Sequence, residues 1–122
     1  MQTDHAILIV DDDEDIRELL AEFLRDEGYR VQTAKNGLDA LTSLRAGDGR
    51  PCLILLDLMM PVMNGFQFLE AFRSDPELSP IPVAVVTAHG SLGVAERAAI
   101  AAPILSKPLE LPTLLEVVGR LC

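Results

Sequence analysis

The sequence predicts an α/β domain built on a five-stranded parallel sheet with helices on both faces. Short apolar runs alternate along the chain with segments of helical periodicity, the pattern of stacked βαβ units. Three of those runs are apolar throughout, as strands covered on both faces must be. Four runs also stop on a polar residue: AILIV on Asp11-Asp12, CLILL on Asp57, PVAVV on Thr87 and PILS on Lys107.

Residues 6–10 form the first strand. Ile16, Leu19, Leu20, Phe23 and Leu24 then repeat at helical spacing, and Gly28 stands where a helix terminates. Val31 and Thr33 alternate with polar neighbours in a short second strand. Leu38, Leu41 and Leu44 mark a second helix that ends near Gly47 and Gly49. Residues 52–56 are the third strand. After Asn64-Gly65, the residues Phe66, Leu69 and Phe72 predict a third helix, closed by Asp75-Pro76. Pro82 can open a strand but not sit in its middle, so 82–87 is the fourth. The Ala-rich stretch from Ser91 to Ala102 offers only Leu92 and Ile100 as large apolar residues and predicts a weak helix. A last strand, 103–106, opens on Pro103, and Leu111, Leu114, Leu115, Val118 and Leu121 predict the final helix.

The continuous runs read as central strands, and those near 31–34 and 103–106 as edges. Right-handed crossovers then favour the order 2-1-3-4-5, a flavodoxin-like doubly wound sheet. Ligands of such sheets bind outside the carboxyl ends of the strands at the switch point between strands 1 and 3, where Asp11, Asp12 and Asp57 stand.

Composition narrows the function classes. The chain has 122 residues, enough for one core, with 49% hydrophobic and 24% charged residues. A net charge of -9 argues against direct binding to nucleic acid, which needs a basic face. The N-terminus lacks a basic segment followed by a long apolar one, and no apolar stretch approaches membrane length, so the expected location is cytoplasmic. In that setting Cys52, inside an apolar run, reads as a buried thiol and Cys122 as an exposed one, rather than as a disulfide.

Three carboxylates at one sheet edge repel one another, and a hard cation with oxygen ligands relieves the repulsion. Mg2+ fits best, because it binds through one or two carboxylates together with waters and a substrate phosphate. A carboxylate beside it can attack phosphorus to give an aspartyl phosphate. Phosphoryl transfer asks mainly for positioning and charge neutralisation. Thr87 and Lys107 supply a hydroxyl and an ammonium at neighbouring strand ends.

The chain resembles the receiver domain of bacterial two-component response regulators over essentially its full length. The resemblance rests on Val10-Asp11-Asp12, on LLDLMMPVMNG from Leu55 to Gly65, on VVTA from Val85 to Ala88 and on SKP from Ser106 to Pro108. It implies transfer of a phosphoryl group to Asp57 from the phosphohistidine of a sensor kinase or phosphotransfer protein. It further implies Mg2+ held by Asp12, Asp57 and the carbonyl of Met59, with Asp11 assisting through a water. Lys107 would pair with the phosphoryl group, Thr87 would move to hydrogen-bond it, and the Lys107-Pro108 bond would be cis. Such a protein takes part in its own phosphorylation and dephosphorylation without being an enzyme in the ordinary sense. Its surface near residues 88–108 would change for a downstream protein, as a monomer or weak dimer.

The chain departs from the family pattern in its C-terminal third. The interval from Thr87 to Lys107 is short, IAAP replaces a Gly-rich turn, and Ile104 stands where many receivers carry Tyr or Phe. An Ile has no hydroxyl and no large ring to report movement of Thr87. A second reading, a receiver that docks partners without phosphorylation, is motivated by these departures. An aspartate-nucleophile phosphatase would want an acid where Met59 stands, and a flavin site would want Gly, Ser or Thr after the first strand.

The plainer roles are assigned elsewhere. Asp13 to Asp15 cap the first helix, Met59, Met60 and Met63 pack the loop, His89 is a loop residue and His5 lies on the disordered side of the first strand. The length leaves no room for an output domain, so the expectation is a single receiver domain over 1–122.

Overall fold

A computed structural model of the protein describes residues 6–47, 50–88 and 92–122. His5, Gly49, His89 and Ser91 lie outside the described residues. The elements run β1 (Ala6–Val10), α1 (Glu14–Asp26), β2 (Arg30–Ala34), α2 (Gly37–Ala46), β3 (Leu53–Asp57), α3 (Gly65–Arg73), β4 (Val83–Thr87), α4 (Val94–Ile100), β5 (Ile104–Ser106) and α5 (Leu111–Leu121). All strand pairs are parallel, and the sheet order is β2-β1-β3-β4-β5, as the sequence predicts.

Strand periodicity divides the core into two layers. Ile7, Ile9, Leu53, Leu55, Ala84 and Val86 face one side, against Leu20 and Leu24 of α1 and Leu114, Val117 and Val118 of α5. Leu8, Val10, Ile54, Leu56 and Val85 face the other, against Leu41 and Leu44 of α2, Phe68 and Phe72 of α3 and Ile100 of α4. The central strands β1, β3 and β4 are buried at every residue, whereas β2 and β5 are partly exposed.

The helices start where their capping groups dictate. Asp13 accepts hydrogen bonds from the amides of Asp15 and Ile16 and so fixes the first turn of α1. Asn36 caps α2 through the amide of Asp39. Asn64 and Gln67 form a reciprocal capping box at α3. These starts all follow strand ends, which places the positive ends of the helices at one edge of the sheet.

The structure departs from the sequence reading in several places, with β4 and β5 each beginning one residue later than predicted. β3 begins at Leu53 and includes Asp57, one residue later than predicted. α4 is shorter than the predicted 91–102 and ends at Ala101, a non-glycine residue at φ 49°. Its last carbonyls are covered from α3: Arg73 donates to Ala99 at 2.7 Å and also to Ile100. Met60 and Met63 do pack into the core, but Met59 is exposed. Finally, Cys52 and Cys122 are neither a buried and an exposed thiol nor separate. Both are half-buried and joined as a disulfide, with Cα atoms 5.0 Å apart across 70 residues of sequence.

Phe68 is fully buried and stacks on Phe72 with ring centroids 5.4 Å apart. Phe68→Ala is expected to lower the unfolding free energy by about 3–5 kcal/mol in urea denaturation. A loss under about 1 kcal/mol would contradict this account of the α3 layer.

Candidate functional site

The carboxyl ends of β1, β3, β4 and β5 bring the singled-out residues to one edge. Asp11 follows β1 and is held by three backbone contacts. Its amide donates to Ala34 at 3.1 Å, its Oδ1 accepts from the Asp13 amide at 2.9 Å, and its carbonyl accepts from Arg17 at 2.7 Å. Asp57 ends β3, and its Oδ1 accepts from the Met59 amide at 3.2 Å. Gly65, at the start of α3, lies so close to this turn that a Cβ there would fall 2.9 Å from the Asp57 carbonyl oxygen and 2.7 Å from Leu58. The close approach of α3 to the β3 end therefore requires glycine.

Asp11, Asp12 and Asp57 each offer a carboxylate oxygen within 4.8 Å of the others. Asp11 and Asp57 are buried and Asp12 is exposed. Lys107 reaches over this cluster, its Nζ 3.2 Å from Oδ2 of Asp11 and 3.5 Å from Oδ2 of Asp57. Thr87 is buried at the end of β4, and its carbonyl accepts the Lys107 amide at 2.7 Å, tying the two strand ends together. The Lys107-Pro108 peptide bond is cis. Ile104 is half-buried, registers with Val85 and packs against the α2–α3–α4 layer.

One ammonium does not balance three carboxylates. Burial, the negative charge of Asp11 and, less strongly, that of Asp12 push the Asp57 carboxyl from the ordinary 3.8 up to about 6, against the opposing pull of Lys107 and the Met59 amide. For Lys107, burial works against the charge, yet Asp11 and Asp57 outweigh it and raise its pKa. The donor set is all oxygen, hard and over-supplied with negative charge, which suits a hard divalent cation.

Arg17 has no place in the sequence reading, although it orients the Asp11 backbone. A signal was available: a basic residue early in α1 has the wrong sign for the helix dipole, which implies another purpose. Met59 meets Asp57 through its amide, while its side chain is 70% exposed. Among the described residues, the other large exposed apolar ones are Leu19 on α1, Leu38 near the start of α2, Val62 in the β3–α3 loop and Val94 at the start of α4. Leu38, Val62 and Val94 follow the carboxyl ends of β2, β3 and β4, and Leu19 lines a groove together with Lys107 and Pro108.

The raised carboxyl has a definite effect on stability. The folded state binds the Asp57 proton more tightly than the unfolded chain, so its contribution falls as pH rises from about 4 to about 6 and is unfavourable at pH 7. Asp57→Asn should therefore be more stable than wild type at pH 7, by about 1–3 kcal/mol without Mg2+, and should lose that advantage below pH 4. Urea denaturation across that range checks it, and equal stability at pH 7 would contradict the charge account.

The chain matches the model of the response regulator receiver domain over residues 7–119. It is 33% identical over 115 residues to the polar-differentiation response regulator DivK of Brucella anthropi, covering 93% of this chain and 92% of that protein. It is 44% identical over 84 residues to the transcriptional regulatory protein CpxR homolog of Haemophilus influenzae, covering 69% of this chain and 34% of that protein. The chain thus spans about a third of the length of that relative. The chemotaxis protein CheY4 of Vibrio cholerae superposes with a TM-score of 0.87 at 34% identity, covering 98% of this chain and all of that one. The response regulator TrrA of Thermotoga maritima, solved in complex with Mg2+-BeF, superposes with a TM-score of 0.83 at 32% identity, covering 96% of this chain and 98% of that one. By fold, by site geometry and by these matches, the chain belongs to the response regulator receiver domain family of two-component systems.

Proposed function

We propose that the chain accepts a phosphoryl group on Asp57 from the phosphohistidine of a sensor histidine kinase or phosphotransfer protein, with Mg2+ bound by Asp11, Asp12, Asp57 and the Met59 carbonyl. The observation that carries this reading is Lys107 Nζ, 3.2 and 3.5 Å from Asp11 and Asp57 at the mouth of a three-carboxylate cluster. That is the positioning and charge neutralisation that phosphoryl transfer needs. A Mg2+-BeF complex of the related TrrA points the same way.

A carboxylate oxygen of Asp57 is the nucleophile. Even in the metal-free site its carboxyl, at about 6, is mostly ionised at neutral pH, so the attacking group is the carboxylate. As the new O–P bond forms, the N–P bond of the donor breaks and its electron pair returns to the imidazole nitrogen. The Met59 amide holds the Asp57 carboxylate in orientation. Lys107 is free to turn from the carboxylates to the phosphoryl oxygens, and its raised pKa keeps it charged. Bound Mg2+ supplies the remaining positive charge for the phosphoryl group and offsets the mutual repulsion of the carboxylates.

Thr87, tied to Lys107 through the backbone, then moves to hydrogen-bond the phosphoryl group and alters the surface around residues 88–108 for a downstream protein. The apolar side chains of Leu19, Leu38, Met59, Val62 and Val94 around the same edge suit a protein donor rather than a small phosphate ester. Hydrolysis of the aspartyl phosphate returns the chain to its starting state. The chain is in this reading a phosphoacceptor that takes part in its own reactions, placed in the cytoplasm, with neither nucleic acid nor membrane as a direct partner.

Acetyl phosphate is a sufficient donor for the test. Incubation with Mg2+ should add one phosphoryl group, detected by intact mass, and EDTA or Asp57→Asn should abolish it. Lys107→Met should slow the reaction by about tenfold or more, since one preorganised cationic donor is lost. Phosphorylation of Asp57→Asn at the wild-type rate would sink the assignment.

A further inference from the structure

We propose that Cys52 and Cys122 form a reversible thiol–disulfide site that exchanges with a low-molecular-weight disulfide such as glutathione disulfide. They are the two cysteines of the chain, so no other intramolecular pairing competes. Their Cα separation of 5.0 Å lies within the span a disulfide bridges without backbone movement. Both residues are half-buried, so neither is sealed in the core.

The reduced pair is equally well housed. The Cys52 sulfur lies 3.3 Å from the Ala6 carbonyl, which can accept a hydrogen bond from the thiol, and the Cys52 amide donates to the same carbonyl at 2.8 Å. Both side chains also pack against the layer formed by α1 and α5. The α5 residues Leu114, Val117 and Val118 are buried in the same layer, so apolar contacts hold α5 besides the bond. Neither redox state therefore asks the fold to rearrange.

In the oxidising direction, a thiolate of the pair attacks one sulfur of glutathione disulfide. The S–S bond of that reagent breaks, and one glutathione leaves as thiolate. The second cysteine then attacks the protein sulfur of the mixed disulfide and releases the second glutathione. The protein loses two electrons and two protons, and one glutathione disulfide becomes two glutathiones. Excess dithiol reverses both steps.

The bond joins the end of α5 to the residue before β3, at the edge of the sheet opposite Asp57. It closes a long loop, so it acts mainly on the unfolded chain and on fraying of α5, not on the carboxylate cluster.

The test uses the folded wild-type chain, reduced and then equilibrated in glutathione buffers of increasing oxidation. Alkylation and intact mass should show a monomer two hydrogens lighter than the reduced form, carrying no glutathione. That form should melt about 10 °C above the reduced one, and its amides over 111–121 should exchange more slowly. Dithiothreitol should reverse all three changes. Cys52→Ser and Cys122→Ser should each melt like reduced wild type in either buffer. Thiols that stay free or glutathione-capped, a bond formed only between molecules, or equal melting of the two forms would overturn the proposal.

Discussion

Placing buried carboxylates beside one another is unfavourable, and this structure does it at the ends of two adjacent central strands. Asp11 and Asp57 sit on adjacent strands β1 and β3, with Lys107 as the nearby cation and exposed Asp12 adding to the negative field. The conflict is incompletely resolved within the protein, and the raised Asp57 carboxyl is its signature. A site in that condition gains from a cation that rebalances it.

The rest of the fold can be understood as what holds this conflict in place. The register of β1 on β3 and β3 on β4 fixes where the strand ends fall relative to one another. Buried apolar residues on both faces make a slip in that register costly. Local devices then aim the groups: Arg17 on the Asp11 carbonyl, the Met59 amide on Asp57, and the Gly65 contact that seats α3 beneath the loop. Elsewhere in the same layer, Arg73 ties the end of α4 to α3, and Ile104 of β5 packs beside them.

The fold class and sheet order were legible because continuous apolar runs and right-handed crossovers leave few topologies. The edge that carries Asp11, Asp12, Asp57, Thr87 and Lys107 was legible for the same reason: each lies directly after a recognisable run. Arg17 was obscured because its partner is a backbone carbonyl, which no residue type announces. The pairing of Cys52 with Cys122 was invisible because it depends on how α5 ends over the sheet, and composition and compartment pointed the other way. Leu19 and Met59 show a further limit: apolar residues near a sheet edge can satisfy the helical or loop pattern and still face solvent.

The central claim is that three carboxylates and one lysine leave Asp57 short of positive charge. Its side-chain carboxyl carbon, followed by NMR through a pH titration without and then with Mg2+, reports this directly. The account predicts a midpoint near the value of about 6 in the absence of metal and a clear downward shift when Mg2+ is added. A midpoint near the ordinary 3.8, unmoved by Mg2+, would contradict it.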